Sequence, residues 1–295
     1  MTDKKSVSNM SDYDLAIAYR IYPQLAESAQ GLPFGEDKLQ LSEICLQSLK
    51  ESLGHLRVKL WALLDGCPKE YEDLFRKYFD EQDLVLVLLP GVGNRATFAK
   101  QIDLLLEQQQ CSLVYFAEDD YFYLPGQFRY MIEFLLHHED VHFVSPYDHL
   151  DYYTMALHQA PGKKKDHGSK QWRTAASTCL TFLARRETLA RTETVFRNYK
   201  RRSLDCSMWL SLTKHRVCNP FFFASQLFRN PLFCKIVLKS WLYFWRQILF
   251  GKKWNLWVPV PAVATHLDSN ALSPEVNWRV LMEQVRKQSA AEARL

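Results

Sequence analysis

Apolar runs that alternate with helical patterns constrain the fold of this 295-residue chain more than any other feature. Two such runs, 15–22 and 56–64, end in Pro23 and in the turn sequence Asp65-Gly66-Cys67-Pro68, as strands do. Between them apolar residues recur at offsets of three and four, the spacing of one helical face. These residues are Leu41, Ile44, Cys45, Leu49 and Leu53. The segment therefore predicts a β-α-β unit with parallel strands.

The next runs extend this pattern. Residues 83–89 (DLVLVLL) are almost continuously apolar, as expected of a parallel strand covered on both faces, and 113–117 and 141–145 are further strand candidates. Helical faces lie between these runs. They comprise Phe98, Ile102, Leu105 and Leu106, then Phe128, Met131, Ile132, Leu135 and Leu136. The order predicts an α/β, Rossmann-like fold, in which helices flank a mixed, mostly parallel central sheet.

The last part of the chain has a different texture. Residues 159–170 contain Pro, two Gly and three consecutive Lys, which predicts a mobile loop. A strand at 177–184, a helix from about Glu187, an aromatic and basic segment at 221–257 and a charged terminal helix follow. Most of the excess of aromatic residues in the chain lies in this region, after Phe221.

Composition narrows the class of protein. The 37 Lys and Arg exceed the 33 Asp and Glu by only four, too few for wholesale nucleic-acid binding but suitable for an anionic ligand at one site. The seven Cys are scattered without a C-x-x-C pair, so neither a disulfide framework nor a zinc cluster is indicated. Residues 1–14 are polar and lack the apolar core of a signal peptide. These features predict a cytoplasmic protein.

In open α/β sheets, ligands bind beyond the carboxyl ends of the strands. The polar residues at these positions are Arg20, Asp65, Asn94 with Arg95, and the triplet Glu118-Asp119-Asp120. Three adjacent carboxylates repel one another unless they are solvated, paired or bound to a cation, and carboxylates with diphosphate oxygens are ligands that Mg²⁺ or Mn²⁺ prefers. A solvated helix start also suits adjacent acids, but the position after a fourth strand favours a metal site.

The segment VYFAEDDYFYLPGQF around the triplet resembles the D-x-D-type segment of GT-A-fold nucleotide-diphospho-sugar transferases, in the E-D-D variant of N-acetylglucosaminyltransferase-like enzymes. The resemblance concerns motif and order over roughly residues 13–270. It implies that Asp120 ligates Mn²⁺ or Mg²⁺, with Glu118 and Asp119 near the ribose and the water shell of the metal. Residues 1–150 would then form the nucleotide-sugar half and 151–295 the acceptor half of one GT-A-type domain.

The same resemblance extends to two other strand ends. Asp65 in LWALLDGCP is similar to an aspartate that accepts a hydrogen bond from the nucleotide base, although an Asp that opens an Asp-Gly turn gives the same sequence. PGVGNRATFAKQID is similar to the loop and helix where Asn94 and Arg95 approach the nucleotide sugar. Asn94 equally suits a helix cap. Arg20 is the corresponding candidate after the first strand.

Transfer with inversion needs a base that takes the proton of the acceptor hydroxyl. Asp205 in RRSLDCSMWLSL stands about where related family-two enzymes carry a Glu-Asp pair, but this chain has Leu204 before it, and a helix cap explains Asp205 as well. His266 follows an extended run late in the chain, where several GT-A enzymes place a histidine that completes the metal shell. A structural His is the alternative.

The segment 233–250 is too short and too charged for a comfortable membrane span. Lys235, Lys239 and Arg246 form one stripe of its helical pattern. A second stripe is apolar and aromatic and consists of Trp241, Phe244, Trp245, Ile248 and Leu249. The segment is extended by Lys252, Lys253, Trp254 and Trp257. This pattern is typical of an interfacial helix, so 233–257 is a candidate for peripheral membrane contact, with core packing or an oligomer contact as alternatives.

Together these features predict a hexosyl- or N-acetylhexosaminyl-transferase with a UDP-sugar as favoured donor. A glycan or lipid-linked hydroxyl is the expected acceptor, as in polysaccharide or glycolipid synthesis. A sugar-phosphate nucleotidyltransferase is the enzymatic alternative, but the Gly-rich loop with Arg or Lys that is expected after its first strand is not present after LAIAYRIYP. A peripheral membrane protein without enzymatic activity, with solvated acids, is the other alternative.

Overall fold

A computed structural model describes residues 12–159, 162–201, 203–226 and 229–292 of the chain. Residues 1–11 of the polar N-terminal segment therefore lie outside the described residues. The strands are β1 Leu15–Ile21, β2 Val58–Asp65, β3 Leu84–Leu89, β4 Leu113–Glu118, β5 Tyr121–Tyr123, β6 Phe143–Val144, β7 Lys164–His167, β8 Lys170–Ala175, β9 Phe182–Arg185, β10 Leu256–Val260 and β11 Ala264–His266. The helices are α1 Lys38–Leu53, α2 Glu70–Tyr78, α3 Asn94–Glu107, α4 Phe128–His137, α5 Asp151–Thr154, α6 Arg186–Arg197, α7 Asp205–Thr213, α8 Pro220–Gln226, α9 Pro231–Phe250 and α10 Trp278–Glu292.

Nine strands form one sheet in the order β3-β2-β1-β4-β9-β6-β10-β8-β7. Strands β3, β2, β1 and β4 pair in parallel, and β9 runs antiparallel to both β4 and β6. Strand β10 is parallel to β6, whereas β8 is antiparallel to β10 and to β7. All strands of this sheet except β9 and β8 thus point the same way. The predicted α/β class with a mixed, mostly parallel central sheet is confirmed.

Strand β1 shows how the two faces of the sheet are covered. Its residues Leu15, Ile17 and Tyr19 belong to one core cluster, with apolar side chains of α1 and α4. The alternate residues Ala16 and Ala18 belong to a second cluster, with side chains of α3, α6 and α7. Because successive side chains of a strand point to opposite faces, a fully apolar strand is buried between two helical layers. This burial fixes the carboxyl end of β1 inside the molecule.

Three sequence predictions for the sheet differ from the structure. Strand β3 was expected to be covered on both faces, but it lies at the edge of the sheet, and Leu88 is 62% exposed. The described part of 159–170, predicted to be a loop, forms much of the β7–β8 hairpin, with Gly168 in its turn. The polar composition of 164–167 reflects an edge strand, since charged side chains are common on edges. Of the predicted strand 177–184, only 182–184 is extended, in β9.

Helix α9 carries much of the aromatic and basic segment. Its inner side packs against α7, where Ser207 donates a hydrogen bond to the carbonyl oxygen of Ile236 over 3.1 Å. The residues of the predicted apolar face do not all lie on one side of the helix. Phe244 and Ile248 are buried, whereas Trp245 and Leu249 are exposed. In the predicted extension to residue 257, Lys252 and Lys253 are exposed, but Trp254 and Trp257 are buried, so the expected surface position of the two Trp is wrong. Strand β10 carries Trp257 into the core. Within the described ranges, no helix is long and apolar enough to cross a membrane.

Candidate active site

A cavity of about 550 Å³ opens at the carboxyl ends of the parallel strands. Five of its polar residues end or follow β1, β2 or β4, and two lie at the start of helices. They are Arg20, Asp65, Glu118, Asp119 and Asp120, joined by Lys38 and Asn94. Most of the predicted site residues therefore share one cavity. His266 contacts it through Asp120, and Arg95 and Asp205 are not among its lining residues.

Glu118 is held by two partners from distant parts of the chain. The Arg20 guanidinium forms an ion pair with its Oε1, and the Thr181 hydroxyl donates to its Oε2 over 2.8 Å. Arg20 also donates to the backbone and side-chain oxygens of Asn94. Burial alone would lower the pKa of Arg20, but the Glu118 carboxylate raises it, so the guanidinium stays charged. Arg20 thereby links β1, β4 and the start of α3.

Asp119 is paired in the same way. Its Oδ2 lies 2.7 Å from Nζ of Lys38 and accepts the backbone N–H of Tyr22 over 3.1 Å. Both charged side chains are largely buried, at 11% and 13% exposure. Burial raises the pKa of Asp119, and the Lys38 ammonium offsets part of this rise. Lys38, Tyr22 and Thr181 were not identified from the sequence, because none of them belongs to a motif and all reach the acids only through the fold.

Asp120 differs from its two neighbours. Antiparallel pairing of β11 with β5 places His266 opposite Tyr121, and Nε2 of His266 lies 3.0 Å from Oδ2 of Asp120. The other carboxylate oxygen, Oδ1, is buried and has no hydrogen-bond partner. Burial alone would raise the pKa of Asp120, but His266 and more distant cations lower it to about 2. Asp120 also raises the pKa of His266 to about 9 against the effect of burial.

The predicted nucleotide-base ligand Asp65 has an additional role in the structure. Its Oδ1 accepts the backbone N–H groups of Gly91 and Val92 over 3.0 and 2.6 Å, and its Oδ2 accepts that of Gly93 over 2.7 Å. Gly91 and Gly93 have φ angles of 87° and 84°, which L side chains rarely adopt. Asp65 therefore fixes the shape of the loop before α3, and its role toward a nucleotide stays a prediction.

The structure separates Asn94 from Arg95. Asn94 is the first residue of α3, lines the cavity and accepts from Arg20, whereas the preceding Gly93 is the helix cap. Arg95 is exposed and lies 5.9 Å from the ring centroid of Tyr199. Asn94 is thus part of the cavity, and the predicted contact of Arg95 with the donor is not tested by this geometry.

Asp205 begins α7 and its Oδ1 accepts the adjacent backbone N–H of Cys206 over 2.7 Å. Burial raises the pKa of Asp205, and the field of Glu118 adds to this rise. A carboxyl with a raised pKa suits proton transfer, and it also suits a helix start, so the role of general base stays a prediction.

Metal binding at this cavity would need ligands from outside the protein. Across the described ranges, no group of three or more His, Cys, Asp or Glu is arranged to hold a metal ion. Asp120 and His266 provide two donor groups, and Oδ1 of Asp120 is a buried oxygen without a partner. Oxygens of a diphosphate would complete such a shell, since Mg²⁺ sites commonly combine one or two carboxylates with substrate phosphates. The residues therefore fit a metal that binds together with a nucleotide.

No known family model matches this chain, and neither does any curated protein. Among solved structures, it is similar to the mannosyltransferase PcManGT from Pyrobaculum calidifontis, which was solved with GDP-Man and Mn²⁺. The two sequences are 13% identical, the match covers 78% of this chain and 70% of that one, and the TM-score is 0.40. It is also similar to the glycosyltransferase GlyE of Streptococcus pneumoniae, with 14% identity, 76% and 52% coverage and a TM-score of 0.40. A third is 4-diphosphocytidyl-2C-methyl-D-erythritol synthase of Anaerococcus prevotii, with 11% identity, 69% and 83% coverage and a TM-score of 0.41. At such low similarity, function has to be inferred from the cavity itself.

Proposed function

We propose that this chain is a metal-dependent glycosyltransferase that uses a nucleotide-diphosphate sugar, with a UDP-sugar favoured, as its donor. The observation that carries the proposal is the state of Asp120. It is the one acid of the triplet whose described contacts include no Lys or Arg within ion-pair distance, and it retains a buried oxygen without a partner. A buried carboxylate oxygen of this kind is costly unless a cation or donor reaches it.

The paired acids support the same proposal. Arg20 and Lys38 each neutralise one carboxylate and line the cavity, so the pocket is not closed to an anionic ligand by three uncompensated charges. Arg20 and Lys38 also carry donors that can contact phosphate oxygens. The fixed loop before α3 brings a helix N-terminus to the same cavity, a further favourable feature for phosphate.

In the proposed reaction, Asp120 and His266 would hold a divalent cation, Mn²⁺ or Mg²⁺, when the donor diphosphate is bound. When bound, such an ion neutralises negative charge as the nucleotide diphosphate leaves. Metal binding requires a neutral ring nitrogen on His266, because a protonated imidazole cannot ligate a metal. Arg20 and Lys38 position the two other acids, which leaves Asp120 free to bind.

We further propose that Asp205 takes the proton of the acceptor hydroxyl as that oxygen bonds to the anomeric carbon. The attack comes from the face opposite the nucleotide diphosphate, which leaves with the electrons of the broken C–O bond, so the configuration is inverted. The support is its partly buried position at the start of α7 and its raised pKa, which reflects burial and the nearby Glu118 charge. The acceptor class proposed is a glycan or a lipid-linked hydroxyl.

Residues 22–37, which connect β1 to α1, contain no Arg or Lys, and the flanking Arg20 and Lys38 are each paired with an acid, which is an argument against a nucleotidyltransferase. Such an enzyme has to neutralise a triphosphate and would be expected to use basic groups in this connection.

A screen for nucleotide release separates these activities. The 295-residue chain is incubated with Mn²⁺ and a panel of nucleotide-diphosphate sugars, and nucleotide diphosphate is quantified by chromatography. We expect slow release that EDTA abolishes and that Asp120→Asn removes. Asp103→Asn, on the outer face of α3 in an ion pair with Arg197, is the matched control and retains activity. Formation of pyrophosphate from a nucleoside triphosphate and a sugar 1-phosphate, with no release from any sugar nucleotide, would contradict the proposal.

A further inference from the structure

The outward side of α9 exposes large apolar side chains that the core does not use. Leu242 is 70% exposed and Leu249 53%, and Leu238, Trp245 and Phe250 are also exposed. Leu238 and Leu242 are four residues apart before a kink at Phe244, and Trp245 and Leu249 are four residues apart after it, so each half of the helix exposes one apolar row. We call the five exposed residues the α9 surface: Leu238, Leu242, Trp245, Leu249 and Phe250. Contiguous exposed apolar patches on proteins commonly mark interaction sites.

The charges around the α9 surface identify the kind of partner. Lys235 and Arg246 are exposed on α9, and Lys252 and Lys253 follow it directly. The stretch 206–267 contains eight Lys and Arg and no Asp or Glu over 62 residues. The rest of the chain has 29 Lys and Arg against all 33 Asp and Glu, so positive charge is concentrated in this region. A partner with a negative surface is therefore favoured.

From this combination we propose that the α9 surface docks on an anionic lipid bilayer, with the helix lying parallel to the membrane. Exposed Leu, Trp and Phe side chains bury in the interfacial layer, while the neighbouring Lys and Arg contact lipid phosphates. A second copy of this chain is a poorer partner, because two such surfaces would bring positive charges together without any acid in 206–267 to compensate them.

The inner side of α9 is suited to hold the surface in place. Phe233, Ile236, Val237 and Ile248 are buried, and Ser240 donates to the carbonyl oxygen of Ser207 on α7 over 3.3 Å. Trp241 donates from Nε1 to the carbonyl oxygen of Val217 over 2.8 Å. The helix is thus anchored to the core on one side and leaves its other side available. Docking does not depend on the transfer reaction, so the two proposals can fail separately.

Vesicle sedimentation with the 295-residue chain tests this proposal. One set of vesicles is pure phosphatidylcholine and the other contains roughly one third phosphatidylglycerol, enough for a strongly negative surface. We expect binding to the anionic vesicles only, weakened by salt because the charges are exposed. Leu242→Glu with Leu249→Glu should reduce binding at least about tenfold, and Lys235→Gln with Arg246→Gln about fivefold for each charge removed.

Leu136→Glu is the matched control, since Leu136 lies on α4 and is 53% exposed, as Leu249 is. It should bind as the unmodified chain does, and circular dichroism confirms that every variant is folded. Equal sedimentation with neutral and anionic vesicles, or unchanged binding by the double Glu variant, would overturn the proposal. The proposal would also be overturned if the chain bound no vesicles and light scattering showed a dimer that the double Glu variant converts to monomer. Metal-dependent donor turnover in solution is measured on the same samples and reports on the proposed function alone.

Discussion

The cavity and the α9 surface both reverse the ordinary distribution of polar and apolar residues, but they do so in opposite ways. In the cavity, Arg20, Lys38 and the acids at 118–120 are largely buried. On α9, Leu242 and Leu249 are exposed. Buried charges and exposed apolar stripes both oppose the preferences that drive folding. Each arrangement therefore points to a ligand, one inside the molecule and one outside it.

The two regions differ in how their unusual residues are supported. Each cavity carboxylate has a partner inside the chain, so the cavity is part of the folded framework and its removal should affect stability. The side chains of the α9 surface contribute little apolar burial, so their removal should affect binding alone. The predictions that follow use this difference, from the largest expected effect to the smallest.

Removing Glu118 should have the largest effect on stability. Glu118→Ala leaves the Arg20 guanidinium buried without its carboxylate, and loss of one partner of a buried ion pair costs about 3–5 kcal/mol. Denaturant unfolding measures this change. The double variant Arg20→Met with Glu118→Leu should recover part of the loss, because it removes both charges. If Glu118→Ala unfolds like the unmodified chain, the pair is not part of the framework.

Replacing Asp120 should have the largest effect on activity. Asp120→Asn removes a charge from the proposed metal ligand and should lower Mn²⁺-dependent donor turnover at least about a hundredfold, because a bound metal supplies several kcal/mol to charge stabilisation. Asp103→Asn serves as the control. Retention of metal-dependent turnover in Asp120→Asn would remove the basis for treating this acid differently from its neighbours.

The Asp120–His266 pair predicts a pH dependence of stability in metal-free protein. The pKa of His266 rises from 6.5 to about 9, so the folded chain retains a proton that the unfolded chain loses. This contribution is fully present below pH 6.5 and is lost as pH rises through about 9. The Asp120 contribution, with its pKa lowered from 3.8 to about 2, is instead lost as pH falls through that range.

Unfolding of the unmodified chain and of His266→Gln, each with EDTA, checks this prediction. At about pH 6 the unmodified chain should be more stable than His266→Gln by roughly 1–2 kcal/mol, a value reduced because the pair is partly exposed to solvent. This difference in the free energy of unfolding should be smaller at about pH 9.5. A difference that stays constant or grows with pH would show that the pair does not hold the extra proton.

The smallest effect is expected on α9. Leu242→Ser with Leu249→Ser should change the free energy of unfolding by less than about 0.5 kcal/mol per residue, as for other exposed positions, while vesicle binding falls. Denaturant unfolding and vesicle sedimentation on the same samples give both values. A loss of several kcal/mol would mean that these side chains pack in the core after all.

The sequence predicted the first half of the fold well because its signals are local. The apolar faces of α1 and α3, and the turns that follow β1 and β2, lie within single elements and need no knowledge of distant contacts. The error at β3 has a physical cause: a continuous apolar run indicates a strand, but its position at the edge of the sheet depends on which strands pair. The hairpin at β7 and β8 was missed because its polar edge strand resembles a loop in composition.

The candidate site was predicted in part for the same reason. Arg20, Asn94 and the acidic triplet occupy strand or helix ends, which the sequence pattern locates directly. Lys38 and Thr181 lie 81 and 63 residues from the acids they contact, so no local pattern connects them. The contacts of Asp65 with three backbone N–H groups likewise depend on the conformation of the loop before α3.

Calorimetric titration with a nucleotide-diphosphate sugar, with and without Mn²⁺, tests the central claim most directly. If Asp120 and its unpartnered oxygen bind a cation together with a diphosphate, at least one donor should bind only when the metal is present, and Asp120→Asn should abolish that binding. Binding that is equally strong in EDTA, or the absence of metal-dependent binding for every donor tested, would contradict the account.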